Sequence, residues 1–247
     1  MSTANDPAND SAKPALREIL QGDFAAILER APALGKVMVM TRVAGATHER
    51  IGPVESVEID GGLVRFAGAA HSAAVDTTAL ARAIADRSVV MGDNVLPRIE
   101  FSDAAGETVF SVIALDGIGP FDSGLGALGR GQPEAEAEKP AREQSTVADD
   151  DAGAHLLGKI QASGIPVTIR VVRPGFDQSW TGVVASAKPG AGFINIMTDD
   201  FHLHLRGGAV TGWEREDGNG TVSFHAIGSS GTRGGLTVSG PAAAFGE

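Results

Sequence analysis

The sequence RIEFSDAAG at residues 98–106 has a counterpart later in the chain, SFHAIGSSG at residues 223–231. Each stretch alternates inward and outward residues and then turns at a glycine, a pattern typical of a half-buried β-strand that enters a hairpin. Other anchors recur at a similar spacing, since GKVMVMTRV begins at Gly35 and GIPVTIRVV begins at Gly164. The sequence therefore predicts two copies of one unit of roughly 100 residues.

Two copies are too few for an open repeat array, so the copies are expected to cover each other. The predicted fold class is α+β, with two tandem repeats that pair as a pseudo-dimer. Each repeat is predicted to be a mainly antiparallel sheet with flanking helices. Because this pairing gives both sheets a partner within one chain, we expect a monomer.

Composition divides the chain into four segments. Residues 1–13 form a polar tail, 14–120 the first repeat, 121–151 an acidic linker rich in Gly and Pro, and 152–247 the second repeat. The tail is expected to be flexible, and the linker has too few apolar residues to offset the entropy cost of ordering.

Helical spacing of apolar residues predicts helices near the start of the first repeat, at its middle and at the start of the second repeat. The predicted helical stretches are residues 14–31, which Gly22 divides into two short helices, 77–86 and 152–162. The remaining apolar runs are strand-sized.

Composition also excludes several classes of protein. The chain has no Cys, which excludes disulfides, thiolate metal sites and a Cys nucleophile and fits a reducing cytoplasm. Its net charge of −11 opposes non-specific binding to nucleic acid. We expect neither a secretory signal nor a membrane span, since no apolar run reaches the required length.

Two histidines, His202 and His204, are two residues apart on a predicted strand and should project from one sheet face. An open tetrahedral metal site needs three protein ligands, and neither a carboxylate nor a third His follows on that strand. His225 is the nearest third ligand by repeat geometry. We therefore predict a solvated polar face rather than a metal site.

Two phrases carry a family resemblance. The first is APALGKVMVMTRVAGATHERIG, which begins at Ala31, and the second is DDFHLHLRGGAVTGW at residues 199–213. Together they resemble the HemS/ChuS/ChuX-type haem utilisation (hemin-degrading factor) family. The first phrase matches that family at Pro32, Ala33, Leu34, Gly35, Val37, Met38, Thr41, Arg42, His48, Glu49 and Gly52.

The resemblance implies a two-repeat α+β fold with haem in a cleft beside the second half. It also implies cytoplasmic handling of imported haem, either by degradation or by delivery to a haem oxygenase, with a haem importer as a further partner. The chain departs from the family pattern in three ways. The helical segment that carries the iron ligand is missing, Thr78 replaces an Arg, and Leu236 and Val238 stand where the last strand should carry other residues.

Four residues are candidates for haem contacts. His155, on the helix before the second sheet, is the first candidate for the axial ligand and His204 is the second, because haem iron usually takes a neutral His nitrogen. Arg206 is the candidate partner of a propionate. His48, from the His-Glu pair of the first phrase, is the fourth candidate.

Each candidate has a structural alternative. His155 could be a surface histidine, and Arg206 could form a salt bridge with Asp199 or Asp200. His48 could bond the backbone at a strand start, and this alternative is favoured.

The sequence favours a cytoplasmic haem-binding or haem-trafficking protein, with haem degradation as a further activity that the resemblance implies. The alternative is a scaffold of the same fold that has lost haem and acts as a regulatory interaction module. A small His-based metal enzyme is a third interpretation. No catalytic residue is assigned.

Overall fold

The structure is a computed structural model that describes residues 15–129, 131–135, 145–218 and 220–246. The strands of the first repeat are β1 (Arg17–Ile19), β2 (Lys36–Val43), β3 (Ala46–Pro53), β4 (Ser56–Asp60), β5 (Leu63–Ala67), β6 (Ser72–Asp76), β7 (Arg82–Asp86), β8 (Val90–Met91), β9 (Asn94–Val95), β10 (Arg98–Ser102) and β11 (Thr108–Ala114). Those of the second repeat are β12 (Val167–Arg173), β13 (Phe176–Gly182), β14 (Lys188–Gly190), β15 (Phe193–Met197), β16 (Phe201–Arg206), β17 (Gly212–Asp217), β18 (Val222–Ile227) and β19 (Arg233–Gly240). The helices are α1 (Phe24–Leu28), α2 (Ile118–Leu125) and α3 (Ala152–Ser163), with 3-10 turns at Ala31–Leu34, Thr77–Ala79 and Ala242–Phe245.

Two large antiparallel sheets contain most of the strands. The nine-stranded sheet has the order β1-β7-β10-β11-β2-β3-β16-β15-β14, and the eight-stranded sheet has the order β17-β18-β19-β12-β13-β6-β5-β4. Apart from β1, the two orders are the same when each strand is replaced by its counterpart in the other repeat. The predicted α+β class and the common strand order of the two repeats are therefore confirmed.

The repeats exchange three strands. β3 of the first repeat pairs with β16 of the second, so that Ala46 lies opposite Leu205 and Arg50 opposite Phe201. The equivalent pairing of β13 with β6 joins the eight-stranded sheet. Each sheet is thus completed by strands from the other repeat.

Aromatic residues join the repeats inside the core. Phe110 stacks between Phe101 and Phe176, with ring centroids 4.6 Å apart in both pairs, and Phe176 belongs to the second repeat. A second apolar cluster packs α3 against both sheets, and there Trp180 stacks on Phe201 at 4.5 Å. Burial of these rings stabilises the pairing of the exchanged strands.

The Pro-Ala-Leu-Gly phrase has a structural role. It forms the 3-10 turn at Ala31–Leu34 and ends at Gly35, whose φ of 78° favours glycine. A Cβ at Gly35 would lie 2.3 Å from Oδ2 of Asp116, the oxygen that accepts a hydrogen bond from the Lys36 backbone N–H. The glycine lets the chain turn into β2 while keeping this contact.

Two of the three predicted helices are wrong in part or in full. Residues 14–31 contain the strand β1 before the short α1, and residues 77–86 form a 3-10 turn and the strand β7. β7 lies between β1 and β10, where Ala83 and Ala85 are buried. A strand buried on both faces has a continuous apolar run, which periodicity does not separate from a helix. The third prediction, at residues 152–162, is confirmed by α3.

The predicted linker begins too early. Phe121 and Leu125 are buried in α2, which packs against the Ala31–Leu34 turn, and Glu134 forms a salt bridge with Arg82 at 2.6 Å. The first part of residues 121–151 is therefore packed against the first repeat. Residues 136–144 of this linker and the tail at 1–13 lie outside the described residues.

Candidate functional site

The outer side of the nine-stranded sheet carries a row of polar residues on β16. His202, His204 and Arg206 alternate with buried apolar residues, as the sequence predicted for a half-buried strand. The apolar residues are Phe201, Leu203 and Leu205. Since β16 pairs with β3, this row lies directly beside polar side chains from the first repeat.

Glu49 of β3 completes a cluster with the two histidines. Nδ1 of His202 lies 3.3 Å from Oε2 of Glu49, and Nε2 of His204 lies 3.8 Å from the same oxygen. One donor atom from each residue falls within 4.8 Å of the other two. The exposed side-chain fraction is 11% for Glu49, 20% for His202 and 28% for His204, so the cluster is partly shielded and still reachable.

Glu49 was not predicted as a partner of the histidines. The strand of His202 and His204 offers no third ligand, and the carboxylate comes from the neighbouring strand β3 in the other repeat. The only available signal was the position of Glu49 in the His-Glu pair of the first phrase. That signal becomes useful only when the pairing of β3 with β16 is known.

Asn195 of β15 fixes the orientation of His204. Its Oδ1 lies 2.6 Å from Nδ1 of His204, while its Nδ2 donates to the carbonyls of Gly190 and Phe193. Because the amide nitrogen is held by carbonyl groups, the amide oxygen faces the ring, and Nδ1 of His204 must donate. In the neutral ring, Nε2 then keeps its lone pair and points toward Glu49.

Arginines lie on the same side of the sheet. Arg206 is two residues beyond His204 on β16. Arg42 is exposed on β2, opposite Thr47, which is itself opposite His204. These side chains place positive charge next to His204 along β16 and two strands away on β2.

A cavity of about 480 Å³ adjoins this surface. Met40 and Arg42 form the wall nearest the cluster, since Met40 lies opposite Glu49 in the pairing of β2 with β3. The other charged residues of its lining are Arg17, Arg82, Asp86, Arg98, Glu100 and Glu134. The cavity and the polar row of β16 thus form one open face.

A charged group at the far side of this cavity is structural. Asp86 is 1% exposed and accepts from Arg17 and Arg98. Burial opposes ionisation of this carboxyl, but hydrogen bonds from Ser88 and the two guanidinium groups outweigh it and lower the pKa of Asp86. The carboxylate therefore holds two of the cavity's arginines in place.

A larger cavity of about 610 Å³ lies on the eight-stranded sheet and is a poorer candidate. Its histidine, His71, is 2% exposed and bonds the carbonyl of Gly52 at 2.9 Å. Its Arg170 is tied to Asp177. This cavity therefore offers fewer available ligand groups than the face of β16.

His48 does not lie on either open face. It is fully buried, and its Nε2 donates to the carbonyl of Ile169 at 3.3 Å. Burial is the main reason that its pKa falls from 6.5 to about 3, and the charge of Arg50 lowers it further despite the hydrogen bond to Ile169. His48 therefore lies away from both open faces, and the carbonyl that it bonds belongs to β12 of the other repeat rather than to a strand start.

His48 and Gln178 occupy equivalent positions of the two repeats and contact each other. Nε2 of Gln178 lies 2.9 Å from Nδ1 of His48 and also donates to the carbonyl of Val39 at 3.2 Å. Val39 and Ile169 are themselves equivalent in the two repeats. The pair therefore forms reciprocal hydrogen bonds on the pseudo-twofold axis, which requires a neutral histidine that accepts at Nδ1.

His155 stands apart from the other candidates. It is exposed in the first turn of α3, where its Nε2 lies 3.0 Å from the carbonyl of Asp149. Asp150 and Asp151 add negative charge nearby, and Asp151 caps the helix. The structure does not bring His155 together with His204 or Arg206 on one strand face.

Three further residues, which depart from the family pattern, have structural roles. Leu236 and Val238 are buried core residues of β19, and the backbone N–H of Thr78 bonds Asp76. Asp200 forms a salt bridge with Arg50 at 3.2 Å.

In the part of the chain that the structure describes, no helix is long and apolar enough to cross a membrane.

Comparisons with known proteins agree with this architecture. Residues 8–117 match the family described as the haemin-degrading HemS.ChuX domain. The fold is similar to that of ChuS, an E. coli haem oxygenase, with a TM-score of 0.74 and 19% identity over 91% of this chain and 83% of ChuS. It is also similar to holo-PhuS, a haem-binding protein from Pseudomonas aeruginosa, with a TM-score of 0.72 and 18% identity over 91% of this chain and 81% of PhuS. No curated protein matches the sequence.

Proposed function

We propose that this chain is a protein of the HemS/ChuS type and that it binds haem, because residues 8–117 match the haemin-degrading HemS.ChuX domain and the fold is similar to that of ChuS. ChuS and PhuS, which share its fold, are a haem oxygenase and a haem-binding protein. The proposed site is the open face formed by β16, β3 and β2. The observation that carries this location is that His204 and two arginines share one accessible face of the sheet.

The residues of this face fit the chemistry of haem. Haem needs an axial nitrogen for iron, cations for its propionates and apolar contacts for the porphyrin. His204 presents Nε2 with its lone pair, because Asn195 holds Nδ1 as a donor. Arg206 and Arg42 supply the cations, and the exposed Met197, opposite His202 on β15, supplies apolar surface.

His204 is preferred to His155 as the axial ligand. Three aspartates, at residues 149–151, precede His155, whereas Arg206 and Arg42 share the sheet face of His204. Nε2 of His155 is also already close to the Asp149 carbonyl. Arg206 remains the proposed propionate partner, because a planar guanidinium binds a carboxylate through two hydrogen bonds.

An open face suits a carrier better than a degrading enzyme. Haem on this surface can be received from a haem importer and passed to a haem oxygenase without movement of a closed lid. Degradation is the second candidate activity, since ChuS, which shares this fold, is a haem oxygenase. The chain has no Cys, which is consistent with a carrier in the reducing cytoplasm.

Titration of the apo-protein with haem tests this proposal. Wild-type protein should shift the Soret band, and His204→Ala should lose the axial-ligand signature. Arg206→Ala should weaken binding by about 1.5–3 kcal/mol, the range for a hydrogen bond to a charged group. His155→Ala is the matched control and should bind as the wild type does.

Two results would contradict the proposal at different levels. Loss of the signature in His155→Ala, with His204→Ala unchanged, would move the ligand to α3. Absence of a Soret shift in the wild type would remove haem binding and favour the scaffold interpretation.

A further inference from the structure

We propose that Glu49, His202 and His204 bind a divalent transition-metal ion. Two imidazoles and one carboxylate form a ligand set that Zn²⁺ and Fe²⁺ both use, with positions left open for water or substrate. The site lies on the haem-binding face, but it is independent of whether the protein binds haem.

The distances between the donor atoms suit a metal ion. Ligands about 2.1 Å from a tetrahedral metal lie about 3.4 Å from one another. Oε2 of Glu49 is 3.3 Å from Nδ1 of His202 and 3.8 Å from Nε2 of His204. All three donors fall within 4.8 Å of one another, so small side-chain rotations bring them to one ion.

The tautomer of His204 provides an independent argument. Asn195 makes Nδ1 the donor, which leaves Nε2 with a lone pair aimed at a carboxylate oxygen. Two acceptors facing each other repel unless a proton or a cation lies between them. A residue that orients a ligating histidine through its second nitrogen is also a regular feature of metal sites.

The backbone supports the cluster with regular strands. His202 and His204 are alternate residues of β16, and Glu49 lies opposite His202 in the pairing with β3. The ligands therefore come from both repeats, and a bound ion would connect the exchanged strands. Metal binding should stabilise the folded state, because the unfolded chain does not hold these ligands together.

The metal ion and haem should compete, which is the one part of this inference that rests on the proposed function. Both use Nε2 of His204, so only one of them can occupy the face at a time. Only the metal ion takes Glu49 and His202 as ligands, so the loss of these ligands is read from Co²⁺ binding and not from the Soret band.

The test is a titration of apo-protein with Co²⁺, followed by displacement with Zn²⁺. One Co²⁺ per chain should bind with the visible absorption of a low-symmetry site, and the unfolding temperature should rise. Glu49→Gln and His202→Ala should each weaken binding at least about 100-fold, and Asn195→Ala by about 10- to 100-fold.

His225→Ala is the matched control. His225 also pairs with a carboxylate, at 3.2 Å from Glu216, but the described residues show no third ligand there. This variant should bind Co²⁺ as the wild type does. No Co²⁺ absorption in the wild type, or equal binding by Glu49→Gln, would overturn the metal site.

Haem titrations of the same variants keep the two proposals distinguishable. His225→Ala, which lies on β18 of the eight-stranded sheet, should retain both the wild-type Soret shift and the wild-type Co²⁺ binding. Metal binding without any Soret shift would refute only the proposed function. Haem binding without metal binding would refute only this inference.

Discussion

Acidification from pH 7 to pH 4 is expected to lower the free energy of unfolding by about 3 kcal/mol through His48 alone. The pKa of His48 falls from 6.5 to about 3 in the folded protein. Below pH 6.5 the unfolded chain binds a proton at this residue, whereas the folded protein does not until the pH approaches 3. The stabilising contribution is therefore complete above pH 6.5 and decreases as the pH falls.

His48→Gln is the variant that isolates this effect. Gln178 shows that a glutamine fits the equivalent position, where its amide donates to a carbonyl of the other repeat. The variant should lose the pH dependence that His48 contributes while keeping a comparable hydrogen bond. His71 also has a pKa lowered mainly by burial, so some acid sensitivity should remain.

Denaturation with urea at several pH values, followed by tryptophan fluorescence, provides the measurement. Trp180 is a suitable probe because it stacks on Phe201, which also contacts the His48 ring. The exposed His155→Gln is the control and should retain the wild-type slope. Equal slopes for His48→Gln and the wild type would contradict the assignment.

Separate expression of the two repeats is expected to abolish folding of both. A fragment that ends at residue 135 would expose the edge of β3, and one that begins at residue 145 would expose the edge of β13. Strands β4 to β6 would lose the sheet that they complete, although Val64 and Val75 are fully buried in the intact chain. Each fragment would thus present apolar surface and unpaired backbone groups to water.

Mixing the two fragments should restore a folded complex. Gel filtration should show both fragments in one peak, and circular dichroism should show cooperative melting only for the mixture. Proteolytic nicking within residues 136–144 should likewise yield two fragments that separate only in denaturant. Cooperative melting of either fragment alone would show that the strand exchange is dispensable.

The sequence was sufficient to predict the tandem repeat and most strands of the second half. Phe193–Met197 and Phe201–Arg206 have the alternation of a half-buried strand, and the structure confirms both. Residues 77–86 were predicted incorrectly because Ala and Ile occupy both faces of β7. An apolar run this short has no periodicity that would distinguish a buried strand from a helix.

The candidate site was harder to predict because it combines the repeats. The alternation of β16 indicated that His202 and His204 share a face, and this was correct. The partners Glu49 and Asn195 depend on which strands lie next to β16. The sequence of β16 does not show which repeat supplies its neighbouring strand. A strand from either repeat would present a similar apolar face to the core.

The exchange of strands also has a consequence for the order of events during synthesis. Arg50 and Asp200 are joined by a salt bridge although 150 positions separate them. Most of the second repeat must therefore be synthesised before β3 can pair with β16. Until then the first repeat has an unpaired sheet edge. Long-range pairing of this kind slows folding and leaves a nascent chain open to aggregation. We therefore expect the binding of chaperones to the nascent chain to depend on how long translation of the second repeat takes. The stability of the folded protein should matter less.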